Sequence, residues 1–212
     1  MSYAVKEMFL TLQGEGAQAG RRAVFLRFAG CNLWTGREED RASAICQFCD
    51  TDFVGMDGEN GGRYDADALA AKVADLWSEG RAHRYVVLTG GEPMLQVDDA
   101  LVDALHSQGF EIAIESNGTL PVHPGIDWVC ISPKFGSDVV QLSGDELKLV
   151  WPQPGTDMES LESWNFAHHL LQPMDSRDTA ANEANRQAAI ALVTERPKWR
   201  LSLQNHKLLG LP

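Results

Sequence analysis

No stretch of this 212-residue chain approaches the ~18 consecutive apolar residues of a membrane span, so no membrane association is expected. The first residues, Met1-Ser2-Tyr3-Ala4-Val5-Lys6-Glu7, lack the basic start and apolar stretch of a secretory signal. A reducing cytoplasm is therefore the expected location. Positive charge is scarce too: 18 Lys and Arg stand against 30 Asp and Glu, a formal net charge of −12. Affinity for nucleic acid leans on cations that neutralise phosphates, and the chain holds no Lys/Arg block. A small-molecule substrate is expected instead. Internal repeats, low-complexity tracts and linkers are all missing, so residues 1–212 are expected to form a single domain.

Cysteine is sparse, with four in all, but three of them sit together. Cys31, Cys46 and Cys49 form a C-x14-C-x2-C cluster, followed at once by Asp50-Thr51. Closely spaced thiols in a reducing compartment point to metal or redox chemistry before disulfides. Three thiolates leave a bound metal centre one protein ligand short, and an open position is what a catalytic centre needs. Thiolates are soft ligands that suit zinc or an iron–sulfur cluster, so both stay open at this stage. A structural zinc site would show a fourth Cys or His at similarly tight spacing, and the nearest candidate, His83, lies far along the chain. Cys130 falls inside an apolar strand candidate and reads as a buried core thiol.

Short apolar runs rich in β-branched and aromatic residues place strands at 23–28, 85–88, 110–115, 128–132, 146–150, 170–174 and 200–204. Helical periodicity places helices at 65–79, with Asp65 as N-cap, at 97–108, with Gly109 as the stop, and at 179–195. This alternation, with non-alternating strands, predicts an α/β fold with a parallel sheet and helices outside. About six such units are too few for an eight-fold barrel. A partial, open (β/α)6-type barrel and a doubly wound sheet are the two choices, and both bind ligands beyond the C-terminal strand ends.

The polar motifs fall at those ends. Thr89-Gly90-Gly91-Glu92-Pro93 closes one strand: paired glycines let a ligand approach the backbone, and Glu92 suits a cationic group, although a plain strand-to-helix turn reads the same way. Glu115-Ser116-Asn117-Gly118-Thr119, Ser132-Pro133-Lys134 and Leu171-Gln172-Pro173-Met174-Asp175 close three more. Thr11-Leu12-Gln13-Gly14-Glu15-Gly16 reads as a polar loop ahead of the first barrel strand. Arg27 interrupts an apolar strand and calls for an anionic partner, either a protein carboxylate or a substrate carboxylate. The charged run 37–41 reads as a solvated loop face.

Taken together, these motifs resemble the radical S-adenosylmethionine (SAM) superfamily, and within it the 7-carboxy-7-deazaguanine synthase family, across essentially the whole chain. The anchors are Leu12-Gln13-Gly14-Glu15-Gly16, Phe25 through Trp34, Cys46-Gln47-Phe48-Cys49-Asp50-Thr51, Thr89 through Pro93, Ser132-Pro133-Lys134 and His206-Lys207. One departure stands out. The superfamily spaces its cysteines C-x3-C-x2-C, so residues 32–45, with Gly36 and five charged residues, look like an inserted surface loop. Loop closure costs grow slowly with length, so the insertion need not weaken the site.

The resemblance implies that Cys31, Cys46 and Cys49 hold a [4Fe–4S] cluster whose fourth iron binds the amino acid end of SAM. It implies SAM contacts from Phe48, Asp50, Gly91, Glu92, Ser116, Ser132, Pro133, Lys134, Gln172, Met174 and Asp175. It implies a carboxytetrahydropterin substrate bound by Leu12, Gln13, Gly14, Glu15, Arg27, Thr89 and Gly90, with Mg2+ at Thr51. A flavodoxin or ferredoxin reductant, a homodimer and a role in queuosine-type biosynthesis follow in the same way. Two competing readings are a glycyl-radical enzyme activase, which needs neither Arg27 nor the Gln13/Glu15 loop, and a non-enzymatic zinc-binding module.

Overall fold

Lys6 and Glu7 lie inside the first strand, not ahead of the fold. The computed structural model describes residues 2–78, 80–176 and 178–212, and its chain opens with β1 (Tyr3–Leu12). Tyr3, Val5 and Met8 are fully buried there, and Lys6 is buried beside them because its Nζ reaches Asp52 and Asp57, each at 2.8 Å. A buried ammonium is tolerated when its charge and donors are matched. The strand expected at 23–28 is β2 (Arg22–Phe28), antiparallel to β1, and β3 (Gly62–Tyr64) pairs with the other side of β1. Leu12 ends β1, so the polar loop begins at Gln13, two residues later than the sequence suggests.

From β2 onward every pairing is parallel. The sheet continues through β4 (Tyr85–Thr89), β5 (Glu111–Ser116), β6 (Trp128–Ile131), β7 (Ser143–Trp151), β8 (Asn165–Pro173) and β9 (Trp199–Leu201). Its order is β3-β1-β2-β4-β5-β6-β7-β8-β9, so β3 and β9 form the two edges and the sheet stays open. This is the partial barrel, not the doubly wound alternative.

Asp65 does cap α1 (Ala66–Trp77), accepting from Ala68 N at 2.8 Å; residue 79, where the expected helix ends, lies outside the described residues. The helix α2 (Asp99–Ser107) packs with α1 on β1, β2 and β5, over a core that includes Leu26, Leu88, Leu101 and Ile112. A second core, around Leu147, Leu171 and Trp199, lies beneath α3 (Met158–Ser163) and α4 (Thr179–Glu195). A short α5 (Asn205–Leu209) closes the chain. The expected regular alternation fails at two crossovers: β5–β6 and β6–β7 are joined without a helix. Pro121, Pro124 and an Asn117-led turn, in which Thr119 N donates to Asn117 Oδ1 at 2.9 Å, stop a helix in the first. Pro133 and Gly136 do so in the second. Among the described residues no helix is long and apolar enough to cross a membrane.

Candidate active site

Because the strands from β2 to β9 are parallel, their C-terminal ends share one rim. At that rim the turn after β4 is pressed against the loop after β2. A Cβ on Gly91 would fall 1.8 Å from the Gly30 carbonyl oxygen and 2.9 Å from Cys31 Cβ, so only glycine fits. Glu92 N donates to that same Gly30 oxygen at 2.9 Å. The Glu92 carboxylate is fully buried and accepts from Ser116 Oγ and Asn117 N at 2.8 Å and from Met94 N at 3.0 Å. Burial nevertheless pushes its pKa up. The turn reading of Gly-Gly-Glu-Pro therefore holds: Glu92 caps the helical turn Pro93–Leu95 and braces Ser116 and Asn117.

Cys46 is buried, while Cys31 and Cys49 are half-buried, and all three are free thiols. The Cys46 thiol donates to Cys49, which draws Cys49 down to about 6 and holds Cys46 up. Lys134, held by Ser132 O at 2.5 Å and Ser132 Oγ at 2.7 Å, faces both sulfurs, and its own pKa is lowered by burial. Among the described residues no three His, Cys, Asp or Glu side chains are gathered as a ready-made metal site. The donor set that is present, three soft thiols on one loop system whose neighbouring carboxylates Asp50 and Glu92 are engaged by Lys207 and by Ser116 and Asn117, fits a cluster held by thiolates. Cys130, by contrast, is buried in β6, where burial pushes its thiol up, away from the trio.

Two adjoining cavities open beside these cysteines. One, of about 200 Å³, is lined by Cys46, Phe48, Cys49, Gly90, Gly91, Ser116, Ser132, Lys134, Gln172, Met174 and Asp175. The other, of about 310 Å³, is lined by Leu12, Gln13, Gly14, Arg27, Glu7, His206 and Lys207. Glu15, Asp50, Thr51, Thr89, Glu115, Lys148 and Gln204 border both. Cys31 and Glu92 stand behind this lining, and Pro133 faces a separate groove beside Phe135.

The shared wall is built on charge. Lys148 Nζ donates to Glu15 at 2.6 Å and to Glu115 at 2.8 Å. Burial raises the Glu15 pKa, but Lys148 outweighs it and draws the carboxyl down to about 2; Gln204 adds a bond at 2.9 Å. Burial lowers the Lys148 pKa, yet Glu115 and Glu15 together hold it well above the usual lysine range. Lys207 reaches from α5 to Asp50 at 2.7 Å and Asp175 at 2.6 Å, tying the cysteine loop to the end of β8. A Cβ on Gly14 would fall 2.2 Å from His206 Nδ1, so the 12–15 loop and the C-terminal segment are in close contact.

Arg27 has a protein carboxylate as partner: its Nε donates to Glu7 Oε1 at 2.8 Å, and Nη1 reaches Gly90 O at 3.5 Å. Among the described residues Nη2 has no hydrogen-bond partner, and Arg27 lines the larger of the two cavities. Sequence reasoning missed Glu7, Glu115, Lys148 and Gln204 as site residues. A signal existed for Lys148, because Glu146-Leu147-Lys148-Leu149 places charges on one face of a buried strand.

The Radical SAM superfamily matches residues 41–147, about half of the chain. Together with the open parallel sheet and the thiol loop at its C-terminal rim, this defines a radical SAM enzyme, and with that class come a [4Fe–4S] cluster and SAM. Within the class, the chain belongs to the 7-carboxy-7-deazaguanine synthase family. The 7-carboxy-7-deazaguanine synthase of Burkholderia multivorans is 59% identical over 213 residues, spanning 100% of both chains. That of Caulobacter vibrioides is 58% identical over the same span. The crystal structure of QueE from Escherichia coli shares 28% identity at a TM-score of 0.71, covering 97% of this chain and 95% of that one. Such full-length likeness sets aside both the activase and the zinc-module readings.

Proposed function

We propose that this chain converts 6-carboxy-5,6,7,8-tetrahydropterin into 7-carboxy-7-deazaguanine, with hydrogen abstraction at C6, ring contraction and loss of ammonia, in queuosine-type 7-deazapurine biosynthesis. One observation carries the reading: two cavities meet at a single charged wall, one beside the cysteine loop and the other beside Arg27 and the 12–15 loop. When bound, the cluster held by Cys31, Cys46 and Cys49 and its SAM supply a hydrogen-abstracting radical. The protein's part is placement. Gly91 and Glu92 fix the amino acid end of SAM, and Phe48, Asp50, Ser116, Ser132, Lys134, Gln172 and Met174 surround the rest, with Pro133 and Asp175 supporting the two loops that carry them.

On the substrate side, Arg27 offers Nη2 to the pterin carboxylate while Glu7 sets the plane of the guanidinium. Glu15, held ionised by Lys148, accepts from the amide and amino edge of the pterin, and Leu12, Gln13 and Gly14 present backbone groups to the same edge. Thr89 and Gly90 form the floor between the two ligands. A single domain spanning 1–212 fits the continuous sheet. A flavodoxin or ferredoxin donor, a homodimer and a cytoplasmic location complete the proposal by family resemblance.

Thr51 borders both cavities, and we assign Mg2+ to its hydroxyl together with the substrate carboxylate and water. Neighbouring Asp50 and Asp52 are already tied to Lys207 and Lys6, so the ion depends on substrate for its remaining ligands. Anaerobic incubation with SAM, a reductant and the carboxytetrahydropterin should yield 7-carboxy-7-deazaguanine and ammonia, and Mg2+ should raise the rate. A reduced, cluster-loaded enzyme that makes no such product would overturn the reading; a rate indifferent to chelation would remove Mg2+ from it.

A further inference from the structure

The inserted segment is folded onto the cysteine loop. Its neck is closed by Cys46 N donating to Leu33 O at 3.4 Å. Trp34 is 7% exposed and meets Phe53 edge to face, with ring centroids 5.6 Å apart. A helical turn, Glu38–Ser43, then carries Arg41 back over Trp34, with the guanidinium carbon 4.0 Å from the ring centroid. The charged run is therefore more than a solvated face. Arg41 Nη1 donates to the carbonyls of Gln47 and Cys49, each at 3.0 Å. Its Nε and Nη2 form a forked pair with Glu38, each at 2.7 Å.

We propose that Arg41 is a positioning residue of the cluster loop: it fixes the Cys46–Cys49 segment by two carbonyls and, with Glu38, sets how readily the cluster is reduced. This rests on the reading that Cys31, Cys46 and Cys49 hold that cluster. The guanidinium is stacked and hydrogen-bonded to three sets of partners, so its charge is fixed in place. The pair is also oriented. Its positive end touches the cysteine segment through Nη1, whereas Glu38, 67% exposed, holds the other edge of the guanidinium at Nε and Nη2. A cation held beside a cluster stabilises the extra electron of the reduced form, and an anion opposes it. Arg41 therefore raises the potential and Glu38 moderates the rise. An insertion that looks like added length supplies an electrostatic element that a three-residue spacing has no room for.

The two ends of the pair make opposite predictions. Arg41→Gln, Glu38→Gln and Arg41→Lys would each be reconstituted anaerobically with iron and sulfide. Iron per chain and reduction potential, read by spectroelectrochemical titration with SAM bound, are the measurements. In Arg41→Gln the reduction equilibrium should fall about tenfold, ~59 mV for one electron. In Glu38→Gln the potential should move the other way. Arg41→Lys, which keeps the charge and loses the fork, should lie nearer the parent than Arg41→Gln does. A loop brace with no electrostatic role would shift Arg41→Gln and Glu38→Gln in the same direction or not at all, and either result overturns the proposal. If Arg41→Gln fails to load iron, the sign of the Glu38→Gln shift decides: upward supports the proposal, and downward or zero sinks it. Cys31→Ala is the control for the underlying reading, because full iron in that variant would mean the ligand set, and not the role of Arg41, is wrong.

Discussion

Lys148 and Glu15 are joined at 2.6 Å across the wall that separates the two cavities, and the lysine side chain is 5% exposed. The same ammonium donates to Glu115 at 2.8 Å, so one buried cation bridges two half-buried carboxylates.

Lys148→Met should therefore be costly. It leaves Glu15 and Glu115 facing each other in a buried wall with no cation between them. Removing one partner of a buried ion pair costs about 3–5 kcal/mol. The urea midpoint of the purified protein should fall accordingly; a midpoint equal to the parent's would mean that water already screens the wall.

Acid should weaken the fold through Glu15. Its carboxyl is drawn from 4.5 down to about 2. A depressed carboxyl contributes stability that is full above its unfolded pKa and is lost as pH falls through the folded value. Stability should thus decline between pH 4.5 and about 2. In Glu15→Gln that part of the decline should be gone, as chemical denaturation at fixed pH steps would show; an unchanged pH profile would remove Glu15 from the account.

Replacing Cys31, Cys46 or Cys49 with Ala should abolish iron binding and the brown colour of the anaerobic protein. Cys130→Ala should keep its iron, since Cys130 is buried in β6 and borders neither cavity. Iron loss in the Cys130 variant would show that the ligand set has been misassigned.

For Arg27→Ala the effect should fall on substrate binding. A charge-assisted hydrogen bond is worth about 1.5–3 kcal/mol, which corresponds to a rise in KM of roughly tenfold to a hundredfold. The turnover number should change less. Glu7→Gln should weaken binding more mildly, because it loosens the guanidinium without removing it. Unaltered KM in Arg27→Ala would place the substrate carboxylate elsewhere.

Much of this arrangement is legible before any coordinates. The runs at 85–88 and 128–132 announce β4 and β6 because buried parallel strands are apolar throughout. Asp65 announces α1 because an N-cap is a local device. The cysteine spacing and Gly-Gly-Glu-Pro announce the rim because their chemistry needs neighbours in sequence. What stays hidden depends on partners far along the chain. β1 reads poorly because Lys6 and Glu7 sit in it, and only Asp52, Asp57 and Arg27 make them tolerable there. Lys148 and Glu15 lie 133 residues apart, and Lys207 and Asp50 lie 157 apart. No periodicity connects them. Arg41 is hidden for the opposite reason: its partners are close, but a run of alternating charge is usually bathed in solvent, and nothing in the run tells that its guanidinium turns inward.

The contact between Gly91 and Gly30 also bears on how this loop tolerates change. Cys31 is held on one side by that backbone contact and on the other by Asn32, which accepts from Asn117 Nδ2 at 2.9 Å and donates to Thr119 Oγ1 at 2.7 Å. The extra residues enter only after these two anchors, and the loop is cinched again where Cys46 meets Leu33. Growth or loss of chain beyond the cinch therefore transmits little displacement to the first cysteine. The length of the outer loop is thereby separated from the position of Cys31 relative to Glu92, which the Gly30–Gly91 contact sets by itself.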